Sequence, residues 1–170
     1  MPLQTFVFLI ERIKEEKKYL ANLYDNLQKD LIVLKDSKIV NDTYWFEAAK
    51  NNAGKHLHDY YICLEKLFEE IFVRLKEDLP DGKTYHKDLL IQAITPLPGL
   101  RPSIIDKELF QHLDELRGFR HVFRNLYRYQ LNTEKLLSIV GRTISQHKKI
   151  EKCLDNFINF LEEQVRMEVK

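Results

Sequence analysis

What most constrains this chain is how rarely it interrupts itself. Its 170 residues contain only five glycines and five prolines, and three of the prolines fall between Pro96 and Pro102. A backbone so poor in breakers can stay helical over long distances, because proline removes a backbone donor and glycine costs helix stability. The apolar residues supply the matching pattern. From about Leu3 to Leu34 they recur as Phe6, Leu9, Ile13, Leu20, Leu23, Leu27, Leu31 and Leu34, a spacing that follows one helical face. The block from Glu11 to Lys18 mixes signs, as a solvated face does. Lys35 to Asn41 is polar and short enough for a helix–helix connection.

A second long helix is expected to begin near Asn41 or Asp42, either of which suits an N-cap. Its apolar positions run Trp45, Ala49, Ala53, Leu57, Tyr60, Leu64, Leu67, Phe68, Ile71 and Leu75, and Pro80-Asp81-Gly82 is expected to end it in a turn. Gly54, in mid-helix, costs up to about 1 kcal/mol relative to alanine and so suggests a close helix crossing. Tyr85 to Ile94 reads as a short helix. The connector Pro96-Leu97-Pro98-Gly99-Leu100-Arg101-Pro102 cannot be helical, and Ser103 to Asp106 looks like a cap for a helix running from Asp106 to about Tyr127. Asn132 or Thr133 caps a last helix with an apolar face from Leu136 to Leu161. No segment alternates with period two. The pattern predicts an all-α, up-and-down bundle of four long helices and one short one, forming a single domain over residues 1–170.

Charge and composition narrow the function classes. The net charge is +1, with 44% hydrophobic and 31% charged residues, as in a soluble helical protein. Cys63 and Cys153 lie in apolar-periodic segments, which favours buried thiols over a disulfide. No Cys/His spacing suits zinc, so neither a metal nor another cofactor is expected. Val7 to Ile10 is too short for a signal peptide or a membrane span, which points to a cytoplasmic protein away from membranes.

Against that near-neutral background, Leu116 to Thr133 holds four arginines and no acidic residue. Successive helical residues turn by about 100°. Arg117, Arg120, His121, Arg124, Tyr127 and Arg128 therefore share a polar face, away from Phe119, Val122, Phe123 and Leu126. Clustered arginines repel one another, and their planar donor forks match phosphate. The face is thus a candidate anion site; the alternative is a solvated arginine-rich helix with surface ion pairs.

Within this stretch, Arg120 is followed by polar His121, then by Asn125 and Tyr127. The sequence here resembles the HEPN superfamily, and within it the HepT-like proteins. Their motif is an arginine, a few residues beginning with a polar one, a histidine, and often a tyrosine two residues later. The resemblance extends to His58-Asp59-Tyr60-Tyr61 with Leu64-Glu65-Lys66-Leu67-Phe68, to Tyr85-His86-Lys87-Asp88-Leu89-Leu90, to the Pro-Gly-Leu-Arg-Pro connector and to the Phe-Arg-His-x-Phe-Arg series. It covers about Ala48 to Leu131.

What the resemblance implies is specific. HepT-like proteins act as toxins paired with a minimal nucleotidyltransferase antitoxin, and many are metal-independent endoribonucleases whose cleft forms between two copies of a homodimer. Their motif histidine moves a proton while the arginine stabilises charge on the RNA phosphate. In some pairs the antitoxin attaches AMP to the motif tyrosine, here Tyr127. The chain departs from this pattern at Asn125, since an amide cannot exchange a proton near neutral pH. His121, about one turn earlier, or His58 from the second helix would have to replace it.

The expected site is therefore Arg120, His121 and Asn125 for chemistry, Arg117, Arg124 and His58 for binding, and Tyr127 for modification. The competing readings are a catalytically degenerate module that binds a nucleotide or a partner protein without cleavage, and an oligomeric scaffold. Among the remaining residues, His86 reads as a capping or hydrogen-bonding residue, and His56, His112 and His147 as surface residues. Tyr44, Trp45, Phe46, Tyr60 and Tyr61 read as core, and Arg101 as either cleft-facing or paired with a carboxylate.

Overall fold

The computed structural model describes residues 3–124 and 131–168, and among these capping residues and apolar stripes mark out six helices. These are α1 (Leu3–Lys35), α2 (Ser37–Val40), α3 (Thr43–Arg74), α4 (Tyr85–Ile94), α5 (Lys107–Arg124) and α6 (Thr133–Glu168). No strand occurs among the described residues; the connector holds only an isolated bridge between Leu97 and Arg101. No helix is long and apolar enough to cross a membrane among the same residues. The fold is an all-α bundle, as expected, with one single-turn addition. The polar link after α1 is itself wound into α2, because the Asp36 side chain accepts a bond from the Lys38 amide.

The starts of the long helices follow their caps. Asp42 Oδ1 accepts from the Trp45 amide, Asp106 Oδ1 from Leu109, and Asn132 Oδ1 from Lys135. The end of α3 differs from expectation. It stops at Arg74, ahead of Pro80, because Lys76 adopts φ 61° and reverses the chain. The Glu77 amide then bonds the Phe72 carbonyl and the Lys76 amide bonds that of Val73, a Schellman termination without the usual glycine.

Helix α1 packs against both α3 and α6, α3 meets α5, and α4 packs on α5. Tyr60, Tyr61, Phe68, Phe72 and Phe157 are fully buried between them. Each such side chain contributes roughly 1.5–3 kcal/mol relative to exposure. Gly54 does mark a close crossing: a Cβ there would lie 2.6 Å from Phe123 Cε2, so the α3–α5 contact uses the missing side chain.

Several expectations about individual residues change. His112 and His147 are buried in the core. His112 keeps register with Leu109, Leu113 and Leu116, and His147 with Thr143, Ile150 and Leu154, so both occupy the inward stripe. His147 stacks on Tyr24 with ring centroids 4.2 Å apart, and its Nδ1 lies 2.8 Å from the Tyr60 hydroxyl. His56 is half-buried, with Nδ1 2.6 Å from the buried Asp30 carboxylate. Tyr60 and Tyr61 are core as expected and Phe46 packs against it partly buried, whereas Tyr44 and Trp45 are 73% and 58% exposed. Both cysteines are free thiols, Cys63 buried and Cys153 half-buried.

Arg101 is a structural residue. Its guanidinium is fully buried and takes the Glu77 carboxylate through Nε and Nη2, with further donation to the carbonyls of Thr95, Gln92 and Pro102. It also lies 4.9 Å from the centre of the Phe72 ring. One side chain thus ties the connector to the ends of α3 and α4.

Candidate functional site: a basic cavity between α4 and α5

The apolar side of α5 carries Leu109, Leu113, Leu116 and Phe119 into the core, which turns the arginine face outward. The short α4 packs on α5 and starts at Tyr85, directly after Lys83 and Thr84. Its own buried residues, Leu89, Leu90 and Ala93, hold that start against the bundle. The Tyr85 hydroxyl donates to Glu69 Oε1 at 2.6 Å, pinning the first turn to α3.

Between these elements lies a cavity of about 400 Å³ lined by Lys83, His86, Arg117, Arg120, His121 and Arg124. Every lining side chain is basic. The size falls within the roughly 300–1,000 Å³ of small-ligand sites. Of the predicted residues, Arg117, Arg120, His121 and Arg124 are brought together here, as helical spacing requires. Asn125 and Tyr127 lie outside the described residues. His58 does not line the cavity: its Nδ1 is 3.3 Å from Asp59 and its ring is 5.8 Å from that of Phe123.

The cavity rests on a buried cluster. Glu65 of α3, only 5% exposed, puts Oε1 at 3.5 Å from Arg120 Nη2 and Oε2 at 2.8 Å from His86 Nδ1. The second approach is close enough for an ion pair but is not aligned as a hydrogen bond. Arg120 Nη1 is 3.1 Å from His86 Nε2. Arginine has no lone pair to offer, so Nη1 donates and Nε2 accepts, which leaves the proton of a neutral His86 ring on Nδ1, facing Glu65. Arg120 also lies over Tyr61, with its guanidinium carbon 6.0 Å from the ring centre. Burial, reinforced by the Glu65 carboxylate, pushes the Tyr61 phenol above its ordinary range. Arg120 Nε is buried without a partner among the described residues.

The local charge is therefore lopsided. Glu65 answers Arg120, and Asp114 Oδ1 accepts from Arg117 Nε at 2.7 Å, yet no carboxylate lines the cavity. Surplus positive charge in a half-enclosed site attracts anions, and Arg and Lys donors suit phosphate oxygens. A cleft of about 470 Å³ between α1 and α3 lacks this character. There Arg12 is held by Glu15, Glu16 and Glu70, and the Cys63 thiol, desolvated and 2.8 Å from Glu16, is pushed up and unreactive.

The sequence pattern did not point to Lys83, Tyr61 or Glu65 as parts of the site, and it favoured a capping or hydrogen-bonding role for His86. Glu65 carried a usable signal. It sits in the apolar register of Tyr61, Leu64 and Phe68, and a carboxylate on a buried stripe requires a cationic partner.

The comparisons with known proteins agree with the family resemblance. A family model described as HepT-like protein matches residues 52–161, more than half of the chain. No curated protein and no solved structure matches.

Proposed function

Because the chain belongs to the HepT-like proteins, we propose that its basic cavity binds RNA through a backbone phosphate and that the protein is the toxin of a pair with a minimal nucleotidyltransferase. The observation that carries this reading is the lining of Lys83, His86, Arg117, Arg120, His121 and Arg124, free of acids and backed by a single buried carboxylate. In the proposed reaction the protein is a metal-independent endoribonuclease, active as a cytoplasmic homodimer. Arg120 and Arg124 hold the phosphate, Arg117 adds charge, and His121 stands beside the scissile bond. Asn125, an amide, positions RNA without moving a proton. His58 plays no part at the phosphate.

Single-stranded RNA is expected to bind with strong salt dependence, the slope falling by about 0.7 for each phosphate contact removed. Arg124, exposed on the last turn of α5, gives a clean variant. Arg124→Ala should weaken binding about 10-fold or more, as for a charge-assisted bond of about 1.5–3 kcal/mol, and leave the melting temperature unchanged. Arg120→Ala should weaken it further and also cost stability, since Glu65 loses its buried partner. Fluorescence anisotropy with labelled RNA checks both; equal affinity of wild type and Arg124→Ala would remove the phosphate assignment.

The modification is tested separately. Co-expression with a neighbouring nucleotidyltransferase should add AMP to Tyr127, seen by mass spectrometry and lost in Tyr127→Phe. Asn125 favours one second reading, a module that binds RNA or nucleotide and cuts nothing. RNA bound tightly yet intact at high protein excess would select it.

A further inference from the structure

We propose that His86 of α4 takes the proton of the attacking ribose hydroxyl in this cleft, held in position by Glu65 of α3. The inference rests on the reading of the cavity as an RNA-cleaving site, and it supplies the base that Asn125 cannot be. Three observations carry it. His86 lines the same cavity as Arg120, His121 and Arg124. Its Nδ1 lies 2.8 Å from the buried Glu65 carboxylate, a charge contact without hydrogen-bond alignment, so a carboxylate stands directly behind the ring. Its Nε2 is the lone-pair atom, and the group 3.1 Å away is Arg120, the side chain expected on the phosphate.

The contact with Arg120 makes the arrangement self-consistent. Without RNA, Arg120 donates to Nε2 and occupies the base. A phosphate in the cavity is a stronger acceptor than a neutral ring, so it draws the guanidinium away and frees Nε2 next to the bound backbone. Glu65 then offsets the positive charge that forms on His86, as a carboxylate does when it orients a catalytic imidazole.

The chemistry balances without a metal. The ribose O2′ attacks the adjacent phosphorus, forming the P–O2′ bond as its proton passes to His86 Nε2. The P–O5′ bond breaks, and the protonated form of His121 gives a proton to the departing O5′. The products are a 2′,3′-cyclic phosphate and a 5′-hydroxyl, and proton exchange with water resets both rings. Neither oxidation nor reduction occurs.

Wild type, His86→Gln and Glu65→Gln should be compared for RNA binding by anisotropy and for cleavage in EDTA, with the cyclic phosphate end identified by mass. His86→Gln is expected to lose about 10²–10⁴-fold in cleavage rate, far beyond any change in its RNA affinity. Glu65→Gln, a positioning change, should retain partial activity, with kcat lowered and KM close to that of wild type. Circular dichroism and melting temperature identify any variant that fails to fold, and His86→Asn then replaces it as a second amide of different length. If wild type cuts and both His86 variants cut equally well, the role of His86 is overturned while the ribonuclease reading stands. If wild type binds RNA but yields no cyclic phosphate at any excess, the ribonuclease reading falls and the proposal with it. If wild type does not bind RNA at all, the cavity assignment fails as well.

Discussion

Replacing Arg101 with alanine is expected to destabilise the protein by about 3–5 kcal/mol, the cost of breaking a fully buried ion pair from one side. The guanidinium is 0% exposed and the Glu77 side chain 4% exposed. Removing the arginine strands a carboxylate whose other side-chain donor is Gln92 Nε2, at 2.9 Å. It also frees the carbonyls of Gln92, Thr95 and Pro102 that the guanidinium satisfies. Arg101→Lys should recover little, since an ammonium cannot span both carboxylate oxygens and three carbonyls. Urea unfolding gives the number directly. A loss below 1 kcal/mol would contradict the buried pairing. Because Arg101 joins the ends of α3 and α4 to the connector before α5, its loss should also loosen the cavity, and RNA binding should weaken more than stability alone explains.

The second large effect is acid sensitivity above the carboxylate range. His112 is buried between apolar neighbours with neither ring nitrogen hydrogen-bonded among the described residues. Burial, opposed by Glu115 and assisted by Arg142, lowers it to about 4. An unfolded histidine titrates near 6.5. The folded value is depressed, so the unfolded chain binds the extra proton between these limits and stability falls with pH. The stability is intact above about pH 6.5 and is lost as pH falls toward 4, by an amount on the order of 3 kcal/mol. His147 is shifted down as well, by burial, and acts in the same direction. Asp59 and Asp106 are lowered by their bonds to Lys55 and His58 and to Leu109 and Lys149, against their own burial, so their losses begin below about pH 4. The window from pH 6.5 to 4.5 therefore isolates the histidines. His112→Leu should flatten the fall in urea-unfolding free energy across it, and an unchanged slope would rule out a buried, neutral His112.

Local chemistry made much of this protein readable from its residues. Helix starts were legible because Asp42, Asp106 and Asn132 cap through their own side chains. The Gly54 crossing was legible because a mid-helix glycine is costly unless something fills its space, and Phe123 does. The basic face of α5 followed from helical spacing alone. Lys76 was not legible, since an exposed lysine adopts φ 61° only where the bonds that close the helix end offset the strain. His112 and His147 were misread because residue type was weighed above their place in the apolar stripe.

The sequence by itself thus determined the helices, their inward faces and the arginine row that α5 turns outward. Those features depend on neighbours within one or two turns of the same helix. Only the tertiary structure decided what the row faces. Glu65, His86 and Arg120 come from three helices, 21 and 34 residues apart along the chain, and meet because α4 packs across α5 at one end of α3. That meeting depends on Arg101 and the connector more than on any local preference. It turns an unassigned basic stripe into a cavity with a buried carboxylate, an oriented imidazole and an arginine within reach of one another.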